Sequence, residues 1–294
     1  MTKTAFIAIV GRPNVGKSTL LNAILGEKIA IVSKKPQTTR NRIAGIHTTG
    51  EAQYVFLDTP GMHNPRTRLG DYMVKATENA IGEVDAAVLV VEAREEVGDI
   101  EAKLIEQFRA RKLPAILLIN KTDAVNASNI AKTIAAYAAA FDFDAVVPIS
   151  AKHNKGIDTV LSECKRYLNE SPWFFPADEI TDQPERQIVA EIIREKLLRT
   201  LNEEIPHGVA VVIEEFKETD KLISIRAEIY CEKQSHKGII VGRGGAALKT
   251  VGSYAREDLE KFFGVKIYLD LWVKVKEKWR DNLSTLNNFG YREE

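Results

Sequence analysis

Cysteine is almost missing from this chain: among 294 residues only Cys164 and Cys231 occur, single and far apart. That excludes a disulfide framework and a thiolate metal site, and leaves two small buried side chains of a reducing compartment. The five histidines are scattered, without metal-ligand spacing. No stretch approaches the roughly 18 consecutive apolar residues of a membrane span. Met1-Thr2-Lys3-Thr4 runs straight into a strand pattern, so no signal peptide is expected and the expected location is the cytoplasm. Net charge is absent too, with 41 Lys+Arg against 41 Asp+Glu.

The charge that is present is unevenly spread. From Ser171 to Glu232 there are 7 basic residues against 14 acidic ones, and from Lys233 to Arg280 there are 11 against 5. Such polarity fits either a face that meets a polyanion or ordinary fluctuation along solvated helices. A chain that is 45% hydrophobic and 28% charged is globular in composition, and its length has room for two domains.

The segment Gly11-Arg12-Pro13-Asn14-Val15-Gly16-Lys17-Ser18 follows the apolar run Ala5–Val10 and opens a helical pattern, Thr19–Leu25. Strand, glycine-rich turn and helix in that order form a nucleotide-phosphate cradle. The glycines let backbone N–H groups point at phosphate oxygens, and the helix N-terminus places a positive dipole end beneath the same anion. Lys17 can reach the β- and γ-phosphates, and the Ser18 hydroxyl can sit on magnesium.

Asn120-Lys121-Thr122-Asp123 leaves another buried-strand pattern, Ala115–Ile119. The Asp123 carboxylate can accept from both N1–H and the exocyclic amine of guanine, whereas adenine would leave it unpaired at high cost. Asn120 can tie this loop to the phosphate loop, and the Lys121 stem can lie over the base. After Tyr54–Leu57 comes Asp58-Thr59-Pro60-Gly61, where Asp58 can hold magnesium through water and the Gly61 N–H can meet the γ-phosphate. Ser150-Ala151-Lys152, after Val146–Ile149, can back the guanine with backbone groups.

In this order the four motifs resemble the translation-factor-like (TRAFAC) GTPases. That resemblance places the first switch at Gln37-Thr38-Thr39-Arg40-Asn41, with Thr39 as the hydroxyl that meets magnesium in the GTP state and Thr38 as the alternative. It also places Met62 where many such enzymes carry a water-orienting glutamine, with His63 beside it. Lacking that glutamine and an arginine finger in cis, the isolated enzyme is expected to hydrolyse GTP slowly. Asn14 matches the asparagine with which related potassium-activated GTPases hold a monovalent cation, so potassium joins GTP, GDP and magnesium as an expected ligand. Lys17, Thr39, Gly61 and Asn14 are the expected catalytic group, and Ser18, Thr39 and Asp58 the expected metal ligands.

Residues 1–170 alternate strand and helix patterns, with one direct strand-to-strand step over Thr49-Gly50-Glu51. The expectation is a doubly wound α/β domain on a mainly parallel sheet with one antiparallel edge strand, its ligand loops at the carboxyl ends of strands. Residues 171–184 read as a linker whose Trp173, Phe174 and Phe175 are expected to pack between domains. Residues 185–276 read as helix, strand, strand, helix, helix, strand, the first helix carrying Ile188, Ile192 and Leu198 at helical spacing. Residues 277–294 read as a tail.

Within the second domain, Gly242-Arg243-Gly244-Gly245 separates a short apolar helix end from a longer amphipathic helix. A G-x-x-G turn lets the backbone approach a nucleic-acid strand and clamp about four nucleotides. Arg243 and Lys249 supply charge, the apolar run Ile239-Ile240-Val241 is expected to line the groove with Gly238 among the RNA-binding residues, and Lys237, Lys266, Lys274 and Lys276 are candidate phosphate contacts. The pattern resembles a KH domain of the second, bacterial type, an α+β fold that takes single-stranded RNA.

One GTPase domain followed by one such KH domain resembles the Era family of bacterial GTPases, from Ala5 to about Val275. The resemblance implies binding near the 3′ end of 16S ribosomal RNA in the GTP state, a role in 30S subunit assembly, release after hydrolysis, a monomeric state and peripheral contact with the inner membrane. The rival reading is a membrane- or protein-docking switch whose KH-like domain is only an adaptor.

Overall fold

The computed structural model describes residues 1–33, 35, 37–202 and 205–292. Contacts divide the chain into two compact units: Met1–Ala30, Thr39–Pro65 and Gly70–Asp182 form one, and Ile31–Thr38, Arg66–Leu69 and Gln183–Glu294 form the other.

The first unit is built on β1 (Lys3–Val10), α1 (Lys17–Leu25), β2 (Ile43–Thr49), β3 (Ala52–Asp58), α2 (Arg68–Gly82, from Gly70 onward), β4 (Ala86–Glu92), α3 (Asp99–Arg111), β5 (Ala115–Asn120), α4 (Ala127–Ala140), β6 (Ala145–Pro148), α5 (Ile157–Cys164) and β7 (Asn169–Glu170). The sheet order is β2-β3-β1-β4-β5-β6, parallel except for β2 against β3, with β7 pairing antiparallel to β1. Continuous apolar strands demand cover on both faces, and the period of two assigns it. Ile7 and Ile9 of β1 join Leu20 and Leu21 of α1 and Val160 of α5, while Ala8 and Val10 join Leu104 and Phe108 of α3 and Tyr137 of α4. Each parallel crossover returns the chain so that the loops after β1, β3, β5 and β6 emerge at one sheet edge.

Residues 171–182 pack on this unit as a strap. Gln53 accepts at Oε1 from the Phe174 and Phe175 N–H groups and donates to the Phe175 carbonyl, Phe174 meets Phe6 edge-on, and Trp173 donates to the Glu51 carbonyl. The three aromatics therefore bind to the β1–β3 region of their own unit, because a glutamine inside β3 satisfies their backbone.

The second unit holds α6 (Glu185–Thr200), β8 (Ala210–Thr219), β9 (Leu222–Cys231), α7 (Gln234–Val241), α8 (Ala246–Phe263), β10 (Lys266–Val275) and α9 (Leu283–Asn288). Its sheet order is β10-β9-β8, β10 parallel and β8 antiparallel to β9. Pro184 and Glu185 start α6, and Gly264, in a left-handed conformation, ends α8 with its N–H on the Glu260 carbonyl. Val189, Ile193 and Leu197 of α6 and Val251, Ala255 and Leu259 of α8 cover Ile225, Ala227 and Ile229 of β9. The described part of the expected tail folds onto this unit. Trp279 is fully buried, donates to the Gly208 carbonyl at 2.9 Å and packs on Phe289 and Tyr291. Both cysteines are buried free thiols.

Candidate functional site

The loop between β1 and α1 is a cradle whose glycines sit where a Cβ has no room. Gly16 has φ +104°, and a Cβ there would lie 2.2 Å from the Asn120 amide nitrogen. Gly61 comes so close to the same loop that a Cβ would fall 2.7 Å from the backbone of Pro13. The Met62 N–H then donates to the Gly11 carbonyl at 3.2 Å. Asn14 stands at φ +66° at the rim, and Val15 is buried beneath it.

Lys17 is buried and donates through Nζ to the carbonyls of Gly11 at 3.1 Å and Arg12 at 2.9 Å. Burial lowers its pKa to about 8, with the Asp58 carboxylate opposing the fall. Burial likewise raises Asp58 to about 6, against the pull of Lys17, Ser18 and Thr39. A phosphate group entering here would replace two carbonyl dipoles with full negative charge and hold Lys17 protonated.

Three oxygens meet beside the lysine. Ser18 Oγ donates to Asp58 Oδ2 at 2.6 Å, Ser18 Oγ and Thr39 Oγ1 are 2.8 Å apart, and Thr39 Oγ1 lies 3.4 Å from Asp58 Oδ2. Asp58 Oδ1 is buried with no hydrogen-bond partner among the described residues. An orphaned carboxylate oxygen beside two hydroxyls is an all-oxygen donor set of the kind magnesium takes. Thr38 takes no part, since its hydroxyl donates to the Lys35 carbonyl. Thr59 anchors the turn by donating from N and Oγ1 to the Ile9 carbonyl, and the Pro60 carbonyl accepts from Thr77.

Asn120 joins three loops. It donates to the Val15 carbonyl at 2.8 Å and accepts from the Ala151 N–H at 3.0 Å. Lys121 donates to the Asn14 carbonyl at 2.7 Å, and Thr122 to the Ile149 carbonyl at 2.8 Å. Asp123 accepts from Ser150, and that bond holds its carboxyl below the usual range. Lys152 is exposed beside this loop. Met62 is buried in the core under α2 and α3 and cannot orient water, while His63 Nδ1 is 2.9 Å from the Gly61 carbonyl.

Glu101 escaped the motif reading. It is fully buried on α3 and forms an ion pair with Arg12 of the cradle. Its signal is a carboxylate within the apolar stripe Leu104, Ile105 and Phe108, at spacings of three, four and seven.

In the second unit, Gly242 has φ +74°, and a Cβ there would lie 2.7 Å from that of Ala247, so only glycine turns α7 into α8. Gly244 and Gly245 also have positive φ, and a Cβ at either meets nothing within 4 Å, leaving an open backbone. Arg243 and Lys249 are exposed beside it, Lys237 is half-buried and Gly238 exposed. A groove of about 460 Å³ lies between Leu201, Ile205, Ile239, Ala247 and Thr250. The expected apolar lining needs correcting: Ile239 is 53% exposed, but Ile240 is fully buried and Val241 packs on the core. Adjacent helical residues point about 100° apart, so one of the pair must face inward. Lys266 and Lys274 are engaged with Glu260 and Glu228.

A family model described as 50S ribosome-binding GTPase matches residues 6–121, and one described as KH domain matches residues 204–280. The GTPase Era of Ruminiclostridium cellulolyticum is 50% identical over 291 residues, covering 99% of this chain and 98% of that protein. That of Clostridioides difficile strain 630 is 50% identical over 296 residues, covering all of both. A crystal structure of Era in complex with MgGDPNP and nucleotides 1506–1542 of 16S ribosomal RNA superposes with a TM-score of 0.95 at 38% identity, covering both chains completely. An Aquifex aeolicus Era variant bound to GDP.AlF4- matches equally well, at TM-score 0.95 and 38% identity over 99% of this chain and 100% of that one.

Proposed function

The chain belongs to the Era family of GTPases, and on that premise we propose that it binds the 3′ region of 16S ribosomal RNA while holding GTP and acts in assembly of the 30S subunit. The observation that carries this reading is the presence, in one chain, of the Ser18–Thr39–Asp58 oxygen triangle beside Lys17 and the open Gly244–Gly245 backbone between two helices. The similar structure holds a magnesium–nucleotide complex and such an RNA together.

Gly11–Ser18, Asp58–Met62, Asn120–Asp123 and Ser150–Lys152 hold the guanine nucleotide, and Ser18, Thr39 and Asp58 hold magnesium, which neutralises charge on the phosphates. The protein positions GTP and stabilises its charge with Lys17 and the Gly61 N–H, and hydrolysis is slow because Met62 cannot align water. RNA runs over Gly242–Gly245, with Arg243, Lys237 and Lys249 on phosphate and Ile239 against unstacked bases. Asn14 holds potassium; equal hydrolysis rates in potassium and sodium chloride would remove that assignment. The protein acts as a monomer in the cytoplasm and touches the inner membrane peripherally. Among the described residues no helix is long and apolar enough to cross a membrane.

The test is crosslinking of the full-length chain to total RNA with a GTP analogue, then sequencing. Reads gathered at the 3′ end of 16S RNA support the reading, and an adaptor with no RNA preference would scatter them.

A further inference from the structure

Among the described residues of the stretch 31–42 there is no regular secondary structure, yet the backbone groups there still need partners. Inside the second unit those partners come from α6. Glu195 is fully buried, and its Oε1 accepts from the Val32 N–H at 3.1 Å. Arg194, also buried, donates through Nη1 to the Gln37 carbonyl at 3.2 Å and through Nη2 to the Thr38 carbonyl. From the loop side, Lys35 donates to the carbonyl of Leu201, the residue after the helix.

These charges are an odd choice for a helix core. Arg194, Glu195 and Lys196 are consecutive and all buried, balanced by Glu191 at 2.6 Å from Arg194, by Lys196 at 3.3 Å from Glu195 and by the Asp258 contact. Apolar residues of similar volume would usually stabilise such a helix as well or better. What charged side chains add is direction: a guanidinium fork can span two carbonyls, and a carboxylate can fix one N–H. Both grips fall on the stretch that ends at Thr38, and the next residue is Thr39, whose hydroxyl stands 2.8 Å from Ser18 Oγ.

We propose that Arg194 and Glu195 are positioning residues for the magnesium–GTP state, holding the backbone of Val32, Gln37 and Thr38 so that Thr39 is delivered to the magnesium site. This rests on the assignment of Thr39 to that site. The clasp acts through the backbone of one loop, so its loss affects the state that needs Thr39, magnesium with the triphosphate, and spares GDP.

The experiment measures binding of a fluorescent non-hydrolysable GTP analogue and of GDP to the full-length chain, with and without magnesium. Arg194→Lys keeps the charge opposite Glu191 but lacks the fork. Lys35→Ala loosens the same loop without touching the helix core, which covers any folding defect of the first variant. The expected result is a fall of about ten-fold in the magnesium-dependent gain for the analogue in Arg194→Lys, with a smaller fall of the same sign in Lys35→Ala. GDP affinity stays within about two-fold, and the double variant Arg194→Lys/Thr39→Ala is no worse than Thr39→Ala alone. Unchanged gain in both loop and helix variants, parallel loss of GDP and analogue affinity, or additive double-variant effects would each overturn the proposal. A normal Thr39→Ala would remove the metal-site assignment and the proposal with it, whereas a defective Thr39→Ala beside a normal Arg194→Lys would remove the proposal alone.

Discussion

The side chain of Asn120, at the end of β5, donates to the carbonyl of Val15 inside the phosphate cradle, 105 residues earlier. Its other end takes the Ala151 N–H, so one amide joins the phosphate, base and backing loops. Asn120→Ala leaves a buried carbonyl and a buried N–H without partners, at about 1–3 kcal/mol each. GDP affinity is expected to drop by at least about ten-fold in equilibrium titration. A drop under about two-fold would show that the loops hold one another without the amide.

Asp58 sets a pH dependence. With its carboxyl lifted to about 6 by burial, a proton competes with the cation below that pH. Magnesium-dependent binding of a GTP analogue is expected to level off above pH about 7 and to weaken toward ten-fold per unit below about 6. Asp58→Asn lacks that step, which separates it from titration of the nucleotide. For the fold without nucleotide the sign is opposite. The raised pKa gives stability that is full below 3.8 and is lost as pH rises through about 6.

Gly244 offers a cleaner test of the RNA clamp than Gly242. A side chain at Gly242 strikes Ala247, whereas one at Gly244 enters open space. Gly244→Asp, tolerable in a left-handed conformation, sets a carboxylate where phosphate is to lie. RNA affinity is expected to fall by more than about ten-fold in filter binding, with GDP affinity unchanged and only a small drop in melting temperature from the left-handed backbone.

Trp279 tests whether the last segment belongs to the second unit's core. Trp279→Ala removes a fully buried indole and its bond to Gly208, and a loss of about 3–5 kcal/mol is expected in urea unfolding followed by circular dichroism. A loss under about 1 kcal/mol would return residues 277–292 to the status of a loose tail.

Much of this was legible beforehand, for definable reasons. The apolar strands and the loops after them could be read because burial on both faces leaves continuous runs, and β4 and β5 extend the runs Ala86–Val91 and Ala115–Ile119 by a single residue each. The order of elements in the second unit followed from periodicity in the same way. Contacts made by backbone pairing or single long-range polar groups were not legible. β7 pairs two residues with β1, and the strap at Phe174 and Phe175 depends on one glutamine, so neither leaves a pattern. Ile239, Ile240 and Val241 read in the sequence as one apolar surface, but a helix turns them to different faces and buries Ile240. Glu101 and Glu195 are buried on their helices, and the contacts that matter for the site, Glu101 with Arg12 and Glu195 with the Val32 N–H, are far apart in sequence.

The most direct measurement is the affinity of the full-length chain for a 3′-terminal fragment of 16S RNA, with magnesium and either a GTP analogue or GDP. Tighter binding is expected in the analogue state, abolished by Gly244→Asp. Equal affinity in both guanine states, or an RNA complex indifferent to Gly244→Asp, would contradict it.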